Sequence, residues 1–213
     1  MRLIKLIAVL LVLTFGGNLH SHDVTKDKEP FKIDMSGMMV DYGGQLINKR
    51  QSLFCTHWDL QGKEVEFIAR DGKRVKRTVV RTDKLGYDLC IITFDEDLDL
   101  KQHWVAPVAD IEEDTVVTIY RYKQREPIIV EVESDFYLDG LFDTEFNTFL
   151  CKPGKSVRPG DSGKGWYAMI DGKAHLVGIN SHISVSWRLE PIRAFSPEVG
   201  EIYEEYQKEL KQR

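Results

Sequence analysis

The sequence predicts an all-β fold closed by a single C-terminal α-helix. Short stretches of alternating or continuous apolar residues recur along the chain with turn signals between them, the pattern of a β-barrel or sandwich. No strand-helix-strand alternation is visible, which argues against a parallel α/β sheet. Helical periodicity appears once, near the C-terminus.

The elements follow in order. Met1, Arg2 and Lys5 flank the start of the apolar run Leu6 to Phe15 (LIAVLLVLTF), too short to span a bilayer comfortably and typical of a secretory signal. Residues 1–22 are read as that signal, with processing placed loosely around Gly17 to His22 because GGNLHSHD lacks a small-x-small site. An uncleaved membrane anchor is the alternative. Either way the chain is exported, to the periplasm or beyond the cell, and no later segment is apolar enough to span a membrane. Residues 23–38 are polar and read as a linker or propeptide-like arm, with ordered structure beginning near Met39 and one domain filling 39–213.

Gln45 to Ile47 and Ser52 to Thr56 flank the turn Asn48-Lys49-Arg50. Glu64 to Arg70 and Val75 to Arg81 alternate around Asp71-Gly72, a strong hairpin signal. Leu89 to Phe94 is continuously apolar, fit for a buried strand. Thr115 to Tyr122 pairs with Ile128 to Ser134 around KQREP, and Trp166 to Ile170 with His175 to Asn180 around Asp171-Gly172. Ser196-Pro197 reads as a helix start, followed by an apolar face of Val199, Ile202, Tyr203, Tyr206 and Leu210.

Composition narrows the function. The chain has 213 residues, 42% hydrophobic and 30% charged, enough for one domain or for one domain of two sub-cores. A net charge of -5 argues against nucleic acid as the partner. The segment Lys63 to Lys84 is locally basic, with eight Lys or Arg against four Asp or Glu, and reads as a solvated hairpin. Three cysteines, Cys55, Cys90 and Cys151, are too few for a disulfide framework. No CxxC spacing or His/Cys cluster suggests a metal, so no cofactor is expected. Gly154-Lys155-Ser156 is no phosphate loop, because Phe149 stands where the first glycine belongs.

The chemistry centres on PGDSG, residues 159–163. Its serine needs a base and a group to orient that base. Of the six histidines, His57 and His182 are the serious candidates; His103 lies in a polar loop. His57 ends the apolar run SLFCTHW, where a strand delivers it to a cleft. Asp88 opens DLCIITF, where a carboxylate beside an apolar strand needs a partner. The order is His57, Asp88, Ser162.

That order and its context resemble the chymotrypsin/trypsin-like serine protease family. LINKRQSLFCTHW is similar to the strand into that family's catalytic histidine, YDLCIITF to its aspartate segment, GDSG to its nucleophile motif and LVGINS to the wall of its substrate cleft. EVEFIARDGKRVKRTVVRTDKLGYDL is similar to the hairpin of the bacterial HtrA-type branch, here without a PDZ domain. The resemblance covers roughly residues 40 to 195 and implies two six-stranded-type antiparallel β-barrels. It implies a secreted serine endopeptidase acting on a polypeptide substrate through His57, Asp88 and Ser162, with the amides of Gly160 and Ser162 as oxyanion hole. It also implies a pocket with Ser156 at its base and Ser181, His182 and Ile183 along its wall. A catalytically inactive, protease-like binding protein is the alternative.

The chain departs from the family at several points. Lys164 and Gly165 stand where a glycine and a proline usually follow GDSG, and Trp58 stands where a cysteine often follows the histidine. The activating Ile-Val-Gly-Gly start is missing, which leaves Asp161 as a carboxylate with no partner named. The resemblance brings Cys55 and Cys90 onto neighbouring strands, either bridged or as buried free thiols.

Overall fold

The computed structural model describes residues 31–110 except 87, and 116–120, 127–139, 144–151, 160–185, 191–197 and 199–212. Strands account for 43% of the structure. Among the described residues the only α-helix lies at the C-terminal end.

The first sheet holds β1 (Gln45–Asn48), β2 (Gln51–Cys55), β3 (Glu64–Ile68), β4 (Arg74–Gly86) and β5 (Leu89–Phe94), in the antiparallel order β1-β2-β5-β4-β3. The apolar run of β5 suits its central place, where every residue but Thr93 is buried. In β3 the alternation puts Val65 and Phe67 inside and leaves Glu64 in solvent. The sheet curls, because Met38 bridges Gln45 of β1 while Met39 bridges Phe67 of β3. One short segment thus meets both edge strands, and the amide of Val40 donates to the Glu66 carbonyl at 2.8 Å.

Order begins earlier than the sequence suggests, with a 3₁₀ turn at Met35–Gly37. Asp34 caps that turn by accepting from the Ser36 amide at 3.0 Å, and the Ser36 hydroxyl accepts from the Trp104 amide at 2.9 Å. Gly37 lies so close to the Trp104 carbonyl that a Cβ there would overlap it. A polar composition hid a segment fixed by caps and by a few apolar side chains, Phe31, Ile33, Met35 and Met38, that pack on the core.

Partial burial works against ionisation of Asp34, but hydrogen bonds from Ser36 and Arg70 outweigh it and hold the carboxyl below its ordinary range. A depressed folded pKa gives stability that is present above the unfolded value and lost as pH falls through the folded one. The stability gap between the parent chain and Asp34→Asn, measured by urea unfolding, is therefore expected to be full at neutral pH. It should shrink from about pH 4 downward; a gap that stays constant into strong acid would contradict this role.

The second sheet holds β6 (Val116–Tyr120), β7 (Pro127–Asp139), β8 (Thr144–Cys151), β9 (Gly165–Ile170), β10 (Lys173–Ile179), β11 (His182–Val185) and β12 (Pro191–Pro197). Their order is β10-β9-β6-β7-β8-β12-β11. The β9-β10 hairpin turns on Asp171 and Gly172, both left-handed at φ 50° and 71°, as a two-residue primed turn requires. The β3-β4 connection is longer: Ala69 donates to the Lys73 carbonyl, and only Gly72, at φ 84°, is left-handed.

Ser196-Pro197 is not the helix start. Both residues finish β12, opposite Phe149 and Thr148 of β8, so sheet pairing overrides the local capping signal. The helix α1 spans Gly200–Gln212. Val199 is buried, Ile202, Tyr203 and Tyr206 pack half-buried on the core, and Leu210 is left exposed. The Tyr206 hydroxyl donates to Asp83 Oδ2 at 3.1 Å, which ties α1 to β4.

The sheets share one core. The Ala106 amide donates to Leu46 in β1, and the Leu176 amide of β10 donates to the next residue, Pro107. The Tyr167 hydroxyl crosses from β9 to Gln45 Oε1 at 2.8 Å, both residues being fully buried. Phe54, Phe67, Phe94 and Tyr167 belong to this cluster, each such ring contributing roughly 1.5 to 3 kcal/mol by leaving water.

Candidate active site

The pairing of β2 with β5 builds the site. Cys55 faces Leu89 in register, and one step further the Thr56 amide donates to the Asp88 carbonyl at 2.8 Å. His57 thereby meets a residue 31 positions away. Asp88 sits at φ 62°, a left-handed conformation that aspartate tolerates better than most residues and that turns its carboxylate back toward His57.

Four donors converge on that carboxylate. Oδ1 accepts from the Thr56 hydroxyl at 2.6 Å and from the His57 amide at 2.8 Å. Oδ2 accepts from His57 Nδ1 at 2.6 Å and from the Ser181 hydroxyl at 2.6 Å. Burial opposes the charge, yet the hydrogen bonds from Ser181, Thr56 and His57 outweigh it, and the carboxyl lies below its ordinary range. An ionised Asp88 favours the imidazole tautomer that carries its proton on Nδ1. The His57 side chain is 38% exposed and that of Asp88 only 10%, so the imidazole faces solvent while its partner is enclosed.

Ser162 is half-buried in the turn before β9. Gly160 and Gly163, on either side, are left-handed at φ 95° and 83°. The Gly163 amide donates to the Asn180 carbonyl at 2.7 Å, the residue just before Ser181, and Gly163 packs against the Phe54 ring of β2. The Ser162 turn is thus tied both to the segment that carries Ser181 and to β2, which leads to His57. Among the described residues no hydrogen bond joins Ser162 to the imidazole; Nε2 instead lies 3.8 Å from Cys55 Sγ.

The other expected residues sort as follows. Ser181, expected on the pocket wall, is 4% exposed, and its hydroxyl donates to Asp88. His182 and Ile183 begin β11, where their backbone alone is described, and Ser156 lies outside the described residues, as do residues 1–30, which hold the expected signal and half of the expected arm. His103 is buried, with Nδ1 3.1 Å from the Asp99 carbonyl and its ring edge-on to Phe67, a structural role.

Asp161 is 2% exposed, and Lys164, the only cation in its turn among the described residues, is 4% exposed. Burial lowers the ammonium's pKa, while the carboxylates of Asp161 and Asp41 pull it back up. An internal lysine thus stands near the carboxylate for which the sequence named no partner. Its signal was visible: a lysine where the family has a glycine.

Cys55 and Cys90 are free and buried. The register pairs Phe54 with Cys90 and Cys55 with Leu89, so the two thiols point to opposite faces of the sheet. Burial pushes the Cys55 thiol well above its ordinary range and Cys90 up to about 12, which disfavours either as a nucleophile. Cys55, His57 and Asp88 nevertheless cluster, with one ligand atom from each within 4.8 Å of the others. Strand pairing brings Asp88 to the group, and the turn after β2 brings the imidazole back over the thiol.

Trp58 is 45% exposed beside His57, held edge-on by Tyr42 at 6.0 Å between ring centroids. No protein-family model matches the chain. No curated protein matches it either.

Proposed function

We propose that the chain is a serine hydrolase of the chymotrypsin-like kind, and within that class an exported endopeptidase built on two β-barrels. The observation that carries the reading is the Asp88 carboxylate, which accepts from the His57 amide, His57 Nδ1 and Ser181 at once. A turn aspartate has no need of such an arrangement, whereas a general base needs an orienting anion that also stabilises its protonated form.

The chemistry follows from these roles. His57 Nε2 takes the Ser162 proton as the hydroxyl attacks a peptide carbonyl, then passes that proton to the leaving amine. Water, deprotonated by the same nitrogen, releases the acyl group from Ser162. The Gly160 and Ser162 amides receive the oxyanion, the left-handed Gly160 being the residue best able to turn its amide inward. Ser156, Ser181, His182 and Ile183 contribute to the pocket. Polypeptide is the substrate, and neither cofactor nor nucleic acid takes part.

One observation favours a second reading, a protease-like protein that binds a partner without cleaving it: Nε2 faces Cys55 rather than hydrogen-bonding Ser162. Labelling with a fluorophosphonate separates the two. Labelling of the processed chain, lost in Ser162→Ala and in His57→Ala, is the expected result. An unlabelled but folded chain with an open cleft would establish the binding-protein reading instead.

A further inference from the structure

The Cys55 thiol lies beside the imidazole nitrogen that the hydrolase reading uses as the base. The Sγ to Nε2 separation is 3.8 Å. Zinc bonds of about 2.3 Å to sulfur and about 2.0 Å to nitrogen, opened to a tetrahedral angle, span about 3.5 Å. A cation can therefore bridge the pair with only a small closure of the two side chains.

The surroundings suit it. The second ring nitrogen donates to Asp88 Oδ2 at 2.6 Å, the carboxylate support that metal-bound histidines usually have and that raises their basicity. Asp88 already accepts four hydrogen bonds, so it acts from behind the ring rather than on the ion. The half-exposed imidazole gives the ion a way in, and the thiol lies buried beneath. Sulfur with imidazole selects zinc-like cations over magnesium or calcium, which prefer oxygen.

We infer that Cys55 Sγ and His57 Nε2 chelate a single zinc-like divalent cation, with Asp88 as the supporting carboxylate, and that the ion switches the site off by occupying the base nitrogen. Binding releases the thiol proton to solvent and replaces two waters of the hydrated ion by sulfur and nitrogen; water completes the coordination. Binding itself is independent of the proposed hydrolysis; the switch rests on that reading.

Cobalt(II) titration of the Ser162→Ala chain tests the site without turnover. One equivalent should produce a sulfur-to-cobalt charge-transfer band, and zinc should abolish it by competition. Cys55→Ala, Cys55→Val and His57→Ala, each checked for folding by circular dichroism, should lose the band; Val fills the volume should Ala weaken the core. In chains with an intact Ser162, the zinc concentration that halves each protein's own uninhibited rate should rise at least about tenfold on removing Cys55. Magnesium should do nothing. A band that is absent, or that survives both Cys55 replacements, overturns the site. Zinc-insensitive turnover with the band present overturns the switch, and a band in a folded chain that never turns over supports the site while defeating the hydrolase reading.

Discussion

Asp88→Asn is expected to lower turnover of a peptide or ester substrate by about 10⁴-fold while leaving the fold in place. The reason lies in which donors can turn round. The His57 amide can only donate, so the oxygen of the new side chain must stay at the Oδ1 position, facing that amide and Thr56. The NH₂ is then forced onto the Oδ2 position, facing His57 Nδ1 and Ser181. Ser181 can rotate its hydroxyl to accept. The imidazole can accept at Nδ1 only by carrying its proton on Nε2, where a base must have none.

Folding should survive because asparagine tolerates a left-handed backbone as well as aspartate does, and every polar group keeps a partner. Rates measured beside thermal unfolding check both halves. Activity within tenfold of the parent would remove Asp88 from the mechanism, and a collapse of stability would make it structural.

Half of this site could be read from the sequence because strands deliver residues at predictable places. An apolar run ending in His57 and another beginning at Asp88 are local patterns, and their pairing in one sheet followed from a family order. The hydrogen bond from Ser181 to Asp88 was not legible, because the direction of that side chain depends on the bend after β10. The cluster of Cys55 with His57 could not be read at all. Residues two apart on a strand share a face, but His57 has already left β2, and the turn alone decides that its ring swings back over the thiol.

The fold shows the same division. β5 and the β9-β10 hairpin carry clean signals, an unbroken apolar run and an Asp-Gly turn, and both form as expected. β7 runs thirteen residues to Asp139, well past Ser134, because SDFYLD pairs with β8 although its polar residues blur the alternation. The helix begins at Gly200 because the residues before it are already committed to a sheet. Local propensity loses wherever a neighbouring strand offers a full ladder of hydrogen bonds.

Gly163→Ala should be the most damaging single methyl group in the site, destabilising the chain by about 2 to 5 kcal/mol. Two costs combine. At φ 83° any side chain is strained, which costs about 1 to 2 kcal/mol. The added Cβ would also overlap the Phe54 ring and stand 2.8 Å from the Tyr42 carbonyl. Phe54 is fully buried in β2 and the carbonyl is backbone, so neither can give way cheaply. Gly172→Ala isolates the first cost: its φ is 71°, yet nothing lies within 4 Å of where the Cβ would go. Urea unfolding should therefore show a loss of about 1 to 2 kcal/mol for Gly172→Ala and a clearly larger one for Gly163→Ala. Equal losses would mean that Phe54 yields. If it does not yield, relief must come from the turn, and because Ser162 directly precedes Gly163, the Ser162 hydroxyl moves away from the strand that leads to His57. Whatever chain of Gly163→Ala remains folded should then label with fluorophosphonate far more slowly than folded Gly172→Ala, which ties the packing of one glycine to the chemistry of its neighbour.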